Sequence, residues 1–121
     1  MLSSDYVIVT NERTGRVLGR RVTKARTLAS RLVGLLAHST LPEGEGLWLE
    51  PCASIHMFFM RFAIDAVFVD REARVTRAVE SLRPWRIAFG GRSAHAVVEL
   101  PVGTVTGSAT RVGDRLRVEA I

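Results

Sequence analysis

A chain of 121 residues with 47% apolar and 24% charged residues has the size and composition of one globular domain, and this composition excludes a disordered protein. The single cysteine, Cys52, excludes an internal disulfide bond and favours a reducing compartment. The N-terminal residues lack a signal-peptide core, and the apolar runs are too short to span a bilayer. We therefore expect one cytoplasmic domain over residues 1–121.

The net charge of +5 and the pI of about 10.9 raise the possibility of a nucleic-acid or anionic-membrane partner. The basic residues are almost all arginines and are scattered along the chain. Scattered arginines do not define a binding face, so nucleic-acid binding is kept only as an alternative.

The first half of the chain predicts a β-hairpin followed by a helix. Residues 6–10 and 17–22 are β-branched runs on either side of a turn that begins at Asn11 and ends at Gly15. Thr27 is a candidate N-cap, and the leucines behind it have helical spacing. These leucines are Leu28, Leu32, Leu35 and Leu36.

The second half predicts mainly short strands around a central apolar stretch over 50–70. Residues 55–62 form an apolar strand that we expect to be largely buried, and 82–92 form a long irregular loop. The other predicted elements are strands at 46–49, 64–69, 74–79, 95–100 and 115–120, and a helix at 102–108. About eight short strands and one or two short helices indicate an α+β, mainly β domain: a single compact, barrel-like antiparallel sheet with a helix across one opening.

Several short motifs recur in one order along the chain. They are Arg31 with the GLL of 34–36, GLW at 46–48, SIHMFFMRFAIDAVFVD at 54–70, LRPW at 82–85, VVELPVGT at 97–104 and VGD at 112–114. In this order and spacing the chain resembles the domain of unknown function 192 family of bacteria and archaea, over about residues 6–121. The resemblance implies a compact β-rich fold with a short helix, and no established activity.

The chain departs from the family pattern at two points. Many members have an exported or membrane-anchored N-terminus, and we expect neither here. The family usually has proline where this chain has Ala63, which keeps a backbone N–H that proline would remove.

Three polar residues interrupt the central apolar stretch: His56, Arg61 and Asp65. A buried carboxylate is costly unless it is hydrogen-bonded or paired. Asp65 therefore either accepts backbone N–H bonds or pairs with an arginine such as Arg61, or it faces a ligand. For His56 we weigh a hydrogen-bonded core histidine against a site residue.

Cys52 is a candidate reactive thiol, because His56 follows at a C-x-x-x-H spacing. Along a regular strand this spacing separates the two by roughly 13 Å, so a bend is needed to join them. A buried free cysteine is the simpler interpretation. A metal site built from Cys52, His56, Asp65, His95 and Glu99 is not favoured, since no metal-binding motif is present, and we expect neither a metal nor a cofactor.

The loop over 82–92 is the second candidate region. Arg83, Trp85 and Arg86 combine an aromatic ring with charged donors, which suits an anionic or carbohydrate-like ligand. The alternative is that Trp85 plugs the barrel end. Trp48, between two leucines, is expected in the core.

These observations favour a non-catalytic binding or accessory domain for a small polar or anionic ligand, so the chain is not expected to be an enzyme. The alternatives are a small hydrolase that uses Cys52 or Asp65 with His56, and a nucleic-acid-binding barrel. The oligomeric state is left open. The candidate ligand-binding residues are His56, Arg61, Asp65, Arg83, Trp85 and Arg86.

Overall fold

A computed structural model describes residues 6–25 and 41–121, so the helix predicted from Thr27 lies outside the described residues. Within those ranges the chain forms nine strands and one short helix. In order they are β1 (Tyr6–Asn11), β2 (Val17–Ala25), β3 (Glu45–Leu49), β4 (Ser54–His56), β5 (Ile64–Val69), β6 (Val75–Leu82), β7 (Ile87–Phe89), β8 (Ala96–Leu100), α1 (Thr104–Ser108) and β9 (Leu116–Ala120).

Seven of the strands form one sheet, in the order β6-β5-β8-β3-β2-β1-β9. Neighbouring strands are antiparallel except β2 and β3, which run parallel. The two remaining strands, β4 and β7, pair antiparallel as a separate ribbon.

The large sheet curls into a half-barrel, and its two edge strands meet at one end. Arg74, just before β6, bridges Arg115, just before β9, and the Val75 N–H donates to the Asp114 carbonyl at 2.8 Å. One apolar cluster therefore gathers side chains from strands along the whole sheet and fills the concave side. This inner cluster contains Val7, Val9, Leu18, Val22, Trp48, Val67, Val69, Val75, Ala96, Val98, Leu100, Val105 and Leu116.

The convex side of the central strands carries a second apolar cluster, over which the β4–β7 ribbon packs. Ile55, Met57, Met60 and Ala88 face inward from the ribbon and its turns. They meet Ile64, Ala66, Phe68, Leu47, Leu49 and Val97 of the sheet. Burial of this apolar area holds the ribbon against the sheet, since two paired strands alone are marginally stable in water.

The predicted fold class is confirmed: the protein is mainly β, with a curled sheet and a short helix. The predicted hairpin is present as β1–β2, and the predicted strands at 64–69 and 74–79 pair as β5–β6. The expectation of a single antiparallel sheet is wrong in two respects, since β2–β3 is parallel and the ribbon forms a second sheet. Trp48 lies in the core as expected, with 4% of its surface exposed.

Two local predictions are wrong in the central stretch. The strand expected over 55–62 ends at His56, and a turn follows in which the Met60 N–H donates to the Met57 carbonyl at 3.3 Å. Both methionine side chains are buried, and this packing reverses the chain where alternation predicted a straight strand. The loop expected over 82–92 contains β7, which is stabilised by pairing with β4.

In the part of the chain that the structure describes, no helix is long and apolar enough to cross a membrane.

Candidate functional site

The ribbon brings together the two segments that carry most of the predicted site residues. Ile55 of β4 pairs with Ala88 of β7. Beyond the strands, the Met57 N–H donates to the Arg86 carbonyl and the Trp85 N–H donates to the Met57 carbonyl, both at 2.7 Å. The turn after β4 and the turn before β7 are thereby fixed side by side.

The outward face of this ribbon carries a continuous row of aromatic and aliphatic side chains. His56 lies across from Ile87, and Ser54 lies across from Phe89. Further along, ring contacts join the two turns: His56 to Phe58 at 4.7 Å, Phe58 to Trp85 at 5.8 Å, and Trp85 to Phe59 at 5.0 Å. We call this row the aromatic stripe; its members are His56, Phe58, Phe59, Trp85, Ile87 and Phe89.

The aromatic stripe is open to solvent. Its five apolar members are between 36% and 66% exposed, with Phe59 and Phe89 the most exposed of them. Scattered exposed apolar residues are ordinary, but a contiguous exposed apolar surface commonly marks a binding site.

Two members of the stripe have backbone conformations that aromatic residues rarely adopt. Phe59 has φ of 68° and Trp85 has φ of 70°, both in the left-handed region. This conformation costs about 1 kcal/mol or more for a residue with a side chain, and such strain is found often at functional sites. The two strained residues are the ones whose rings contact each other at the tips of adjacent turns.

The formal charge of the two segments that carry the stripe is of one sign. Segments 51–63 and 83–95 contain four arginines and neither aspartate nor glutamate. The arginines are Arg61, Arg83, Arg86 and Arg92, and all four are exposed. A fifth, Arg77 of β6, donates from Nη1 to the Phe89 carbonyl at 2.8 Å. The stripe therefore lies on segments that carry arginines and no acidic residue.

Asp65, predicted as a ligand-binding candidate, lies away from the stripe and is fully buried. Its Oδ1 accepts the Ser81 N–H at 2.9 Å, and its Oδ2 accepts the N–H groups of Gly103 at 3.2 Å and Val105 at 2.9 Å. These are the backbone hydrogen bonds expected for Asp65 if its role is structural. The carboxylate thus joins β5 to the end of β6 and to the start of α1.

The other candidates from the sequence lie on or beside the stripe. His56 is half-buried and stacks on Phe58, and its Nδ1 accepts the Phe58 N–H at 3.4 Å. Trp85 is 59% exposed, which excludes the alternative that it plugs the barrel. Arg83 and Arg86 flank Trp85 in the sequence of one turn, and Arg61 follows Phe59 in the other. Their roles in ligand binding stay predictions.

Cys52 lies just before β4, where its backbone N–H donates to the His95 carbonyl at 2.8 Å and its thiol donates to the Ser54 carbonyl at 3.1 Å. His95 is itself held by Glu50, with Nε2 and Oε2 3.2 Å apart, and Glu50 also accepts the Trp48 Nε1–H at 2.8 Å. The hydrolase alternative stays a prediction.

Trp48, Glu50 and His95 border a cleft at the end of the half-barrel away from α1. The cleft has a volume of about 440 Å³ and is lined by Lys24, Ala25, Trp48, Glu50, Pro51 and His95. In residues 6–25 and 41–121, no three histidine, cysteine, aspartate or glutamate side chains are grouped to hold a metal ion.

Sequence reasoning missed four members of the stripe: Phe58, Phe59, Ile87 and Phe89. The sequence held a signal for Ile87 and Phe89, because they alternate around a small residue, Ala88, directly before two glycines. That pattern is typical of a short strand with one large apolar face. No comparable signal identified the outward direction of Phe58 and Phe59, since it depends on the buried methionines that flank them.

The half-barrel, its covering ribbon and the exposed stripe define a small β-rich domain with a solvent-exposed apolar surface. The chain belongs to the domain of unknown function 192 family, described as "Uncharacterized ACR", whose model matches residues 8–118.

Curated relatives come from archaea. A UPF0127 protein of Thermococcus gammatolerans is 35% identical over 112 residues, covering 88% of this chain and 72% of the relative. A UPF0127 protein of Pyrococcus abyssi is 44% identical over 64 residues. That match covers 53% of this chain and spans only 54% of the relative's length.

Solved structures with the same fold come from bacteria. A protein of unknown function from Novosphingobium aromaticivorans is similar with a TM-score of 0.77 and 26% identity, covering 93% of this chain and 83% of that one. A protein from Sinorhizobium meliloti has a TM-score of 0.75 at 21% identity, covering 93% and 92%, and shows the fold alone.

Proposed function

We propose that this chain is a non-catalytic binding domain for a polar, anionic ligand that also presents an apolar or flat face. The binding surface is the aromatic stripe together with Arg61, Arg83 and Arg86. The observation that carries the proposal is the series of ring contacts that joins His56, Phe58, Trp85 and Phe59, the last three of which are exposed.

The exposure of these rings supports the proposal because it is unfavourable in the unbound protein. Apolar surface in water costs roughly 25 cal/mol for each Å² that a folded chain leaves unburied. The chain also strains the backbone at Phe59 and Trp85 to hold the rings outward. Both costs are offset if a ligand covers the rings.

The arginines support an anionic ligand. A guanidinium donates several N–H groups in a fixed plane and forms paired hydrogen bonds to a carboxylate, sulfonate or phosphate. Since segments 51–63 and 83–95 contain no acidic residue, no carboxylate within them competes for these donors.

Trp85→Ala should weaken ligand binding at least about ten-fold while leaving the melting temperature within about 2 °C of the wild type. Loss of one stacking ring costs about 1–3 kcal/mol of binding, and 1.4 kcal/mol corresponds to ten-fold. The fold should tolerate the change because the side chain is 59% exposed. The measurement is calorimetric titration with aromatic sulfonates, aromatic carboxylates and sugar phosphates.

Val112→Ala is the matched control, since Val112 is an exposed apolar residue in the turn before β9. It should bind like the wild type. The proposal fails if the wild type binds none of these ligands, or if Trp85→Ala binds them as tightly as the control.

A further inference from the structure

Resting on the proposed function, we propose that the anionic ligand is the headgroup surface of an anionic membrane, on which the protein docks with the aromatic stripe facing the bilayer. Phe59, Trp85 and Phe89 enter the interface between headgroups and acyl chains. Arg61, Arg83, Arg86 and Arg92 bind the phosphates around them.

The shape of the stripe favours a partner with a flat surface over a small molecule held in a cleft. Phe58 and Trp85 stack on each other at 5.8 Å with an angle of 29° between their rings, and Phe59 packs its edge against Trp85 at 5.0 Å. Because the rings fill the space between one another, a ligand meets their outer side. An apolar face on two adjacent turns, whose segments contain four arginines and no acidic residue, matches the apolar and anionic layers of a bilayer surface.

The residue types also fit this partner. Tryptophan is enriched at the membrane–water boundary, where its apolar ring and its N–H group meet the environments they prefer. Arginines near an anionic bilayer each contribute affinity that corresponds to about five-fold in binding, and arginine can extend its charged group toward phosphates while its stem lies along apolar surface.

Two other partners for the stripe fit less well. A peptide that adds a strand to the ribbon needs free carbonyls on β7, but the Phe89 carbonyl accepts Arg77 Nη1 at 2.8 Å and the adjoining Gly90 carbonyl accepts the Thr76 hydroxyl at 2.9 Å. A second copy of this chain would bring two arginine-bordered surfaces of the same charge together, which is unfavourable.

The test is sedimentation of the full chain with vesicles of phosphatidylcholine alone and of phosphatidylcholine mixed with phosphatidylglycerol. We expect binding to the mixed vesicles, weakened by salt, and little binding to the neutral ones. Arg83→Gln with Arg86→Gln should reduce binding about 25-fold. Phe59→Ala should reduce it about ten-fold, while Arg20→Gln, an exposed arginine of β2, should bind like the wild type.

Fluorescence of Trp85 distinguishes insertion from charge attraction alone. Trp48 is buried, so a shift to shorter wavelength on adding mixed vesicles, absent in Trp85→Phe, reports that the exposed ring has entered the interface.

A wild type that binds the aromatic sulfonates or carboxylates but not the vesicles overturns this inference and leaves the proposed function standing. Binding to neither overturns both. Vesicle binding that the stripe and arginine variants do not change also overturns the inference.

Discussion

Asp65→Ala should lower the free energy of unfolding by about 3–5 kcal/mol, because it leaves backbone N–H groups that are buried or partly buried without an acceptor. Three such groups depend on this one carboxylate: those of Ser81, Gly103 and Val105. Each unsatisfied group costs about 1–3 kcal/mol, reduced here by whatever water and relaxation restore. Unfolding in urea measures the loss, and at this chain length the melting temperature should fall by roughly 10–15 °C.

The position of Asp65 explains why its substitution should lower the free energy of unfolding so strongly. Ser81 has φ of 52°, a left-handed conformation that is unfavourable for serine and is held by its bond to Oδ1. Gly103, with φ of 100°, directs its N–H and the start of α1 toward Oδ2. Removal of the carboxylate therefore loosens the end of β6 and the entry to the helix at the same time.

Two variants make this prediction specific. Asp65→Asn keeps one acceptor oxygen but turns an NH₂ group toward N–H donors, so it should lose about half as much stability as Asp65→Ala. Glu119→Gln changes an exposed carboxylate of β9 and should lie within about 0.5 kcal/mol of the wild type. A loss below about 1 kcal/mol for Asp65→Ala would contradict the structural role assigned here.

The sequence predicted that Asp65 needs partners but not which ones. A lone carboxylate in an apolar run must be hydrogen-bonded, and that much follows from the cost of burial. Its partners lie 16, 38 and 40 positions further along the chain, on segments that the topology brings together. The spacing of residues along the chain does not predict those contacts.

The sheet was more predictable than the ribbon. β5 alternates strictly, with Ala66 and Phe68 on the convex side and Val67 and Val69 on the concave side, so its pattern alone identifies a strand buried on both faces. β7 has three residues and exists because Ala88 pairs with Ile55 of β4. A strand that depends on its partner this strongly has a weak local signal.

The candidate site was predicted in location and only partly in composition. Trp85 and its arginines stand out in the sequence because a charged, aromatic loop is conspicuous among apolar strands. Phe58 and Phe59 look like core residues, since two phenylalanines in an apolar run are usually buried. Their outward direction results from the turn between Met57 and Met60, which places the methionines in the core instead.

Asp114→Asn should destabilise the protein by about 2 kcal/mol at neutral pH and should reduce the loss of stability on acidification. Asp114 is buried in the turn that precedes β9. Arg13 donates to it from Nε at 2.6 Å and from Nη2 at 3.0 Å, Asn11 donates from Nδ2 at 2.9 Å, and the Arg111 N–H donates at 2.9 Å. The value lies between about 0–1 kcal/mol for an exposed pair and about 3–5 kcal/mol for a broken buried pair, because Asp114 is buried while the Arg13 side chain is 40% exposed and water screens its charge.

The sign of the pH dependence follows from these donors. The hydrogen bond from Arg13 is the main cause that holds the pKa of Asp114 well below its ordinary value of 3.8, with the bonds from Asn11 and Arg111 adding to it against the opposing effect of burial. A carboxyl whose pKa is lower in the folded than in the unfolded chain adds stability above the unfolded value, and that stability is lost as the pH falls toward the folded value. The contribution of Asp114 is therefore complete at pH 7 and fades below about pH 4.

Urea unfolding at several pH values between 7 and 2 tests this directly. The stability difference between the wild type and Asp114→Asn should be largest at pH 7 and should shrink as the pH falls below about 4, because the carboxyl then takes up a proton in the unfolded wild type while the folded protein still holds it ionised. Glu119→Gln removes an exposed carboxylate and should keep the pH dependence of the wild type. A difference between the wild type and Asp114→Asn that stayed constant across this range would contradict the assignment, since it would mean that the hydrogen bonds of this turn do not depend on the charge of Asp114.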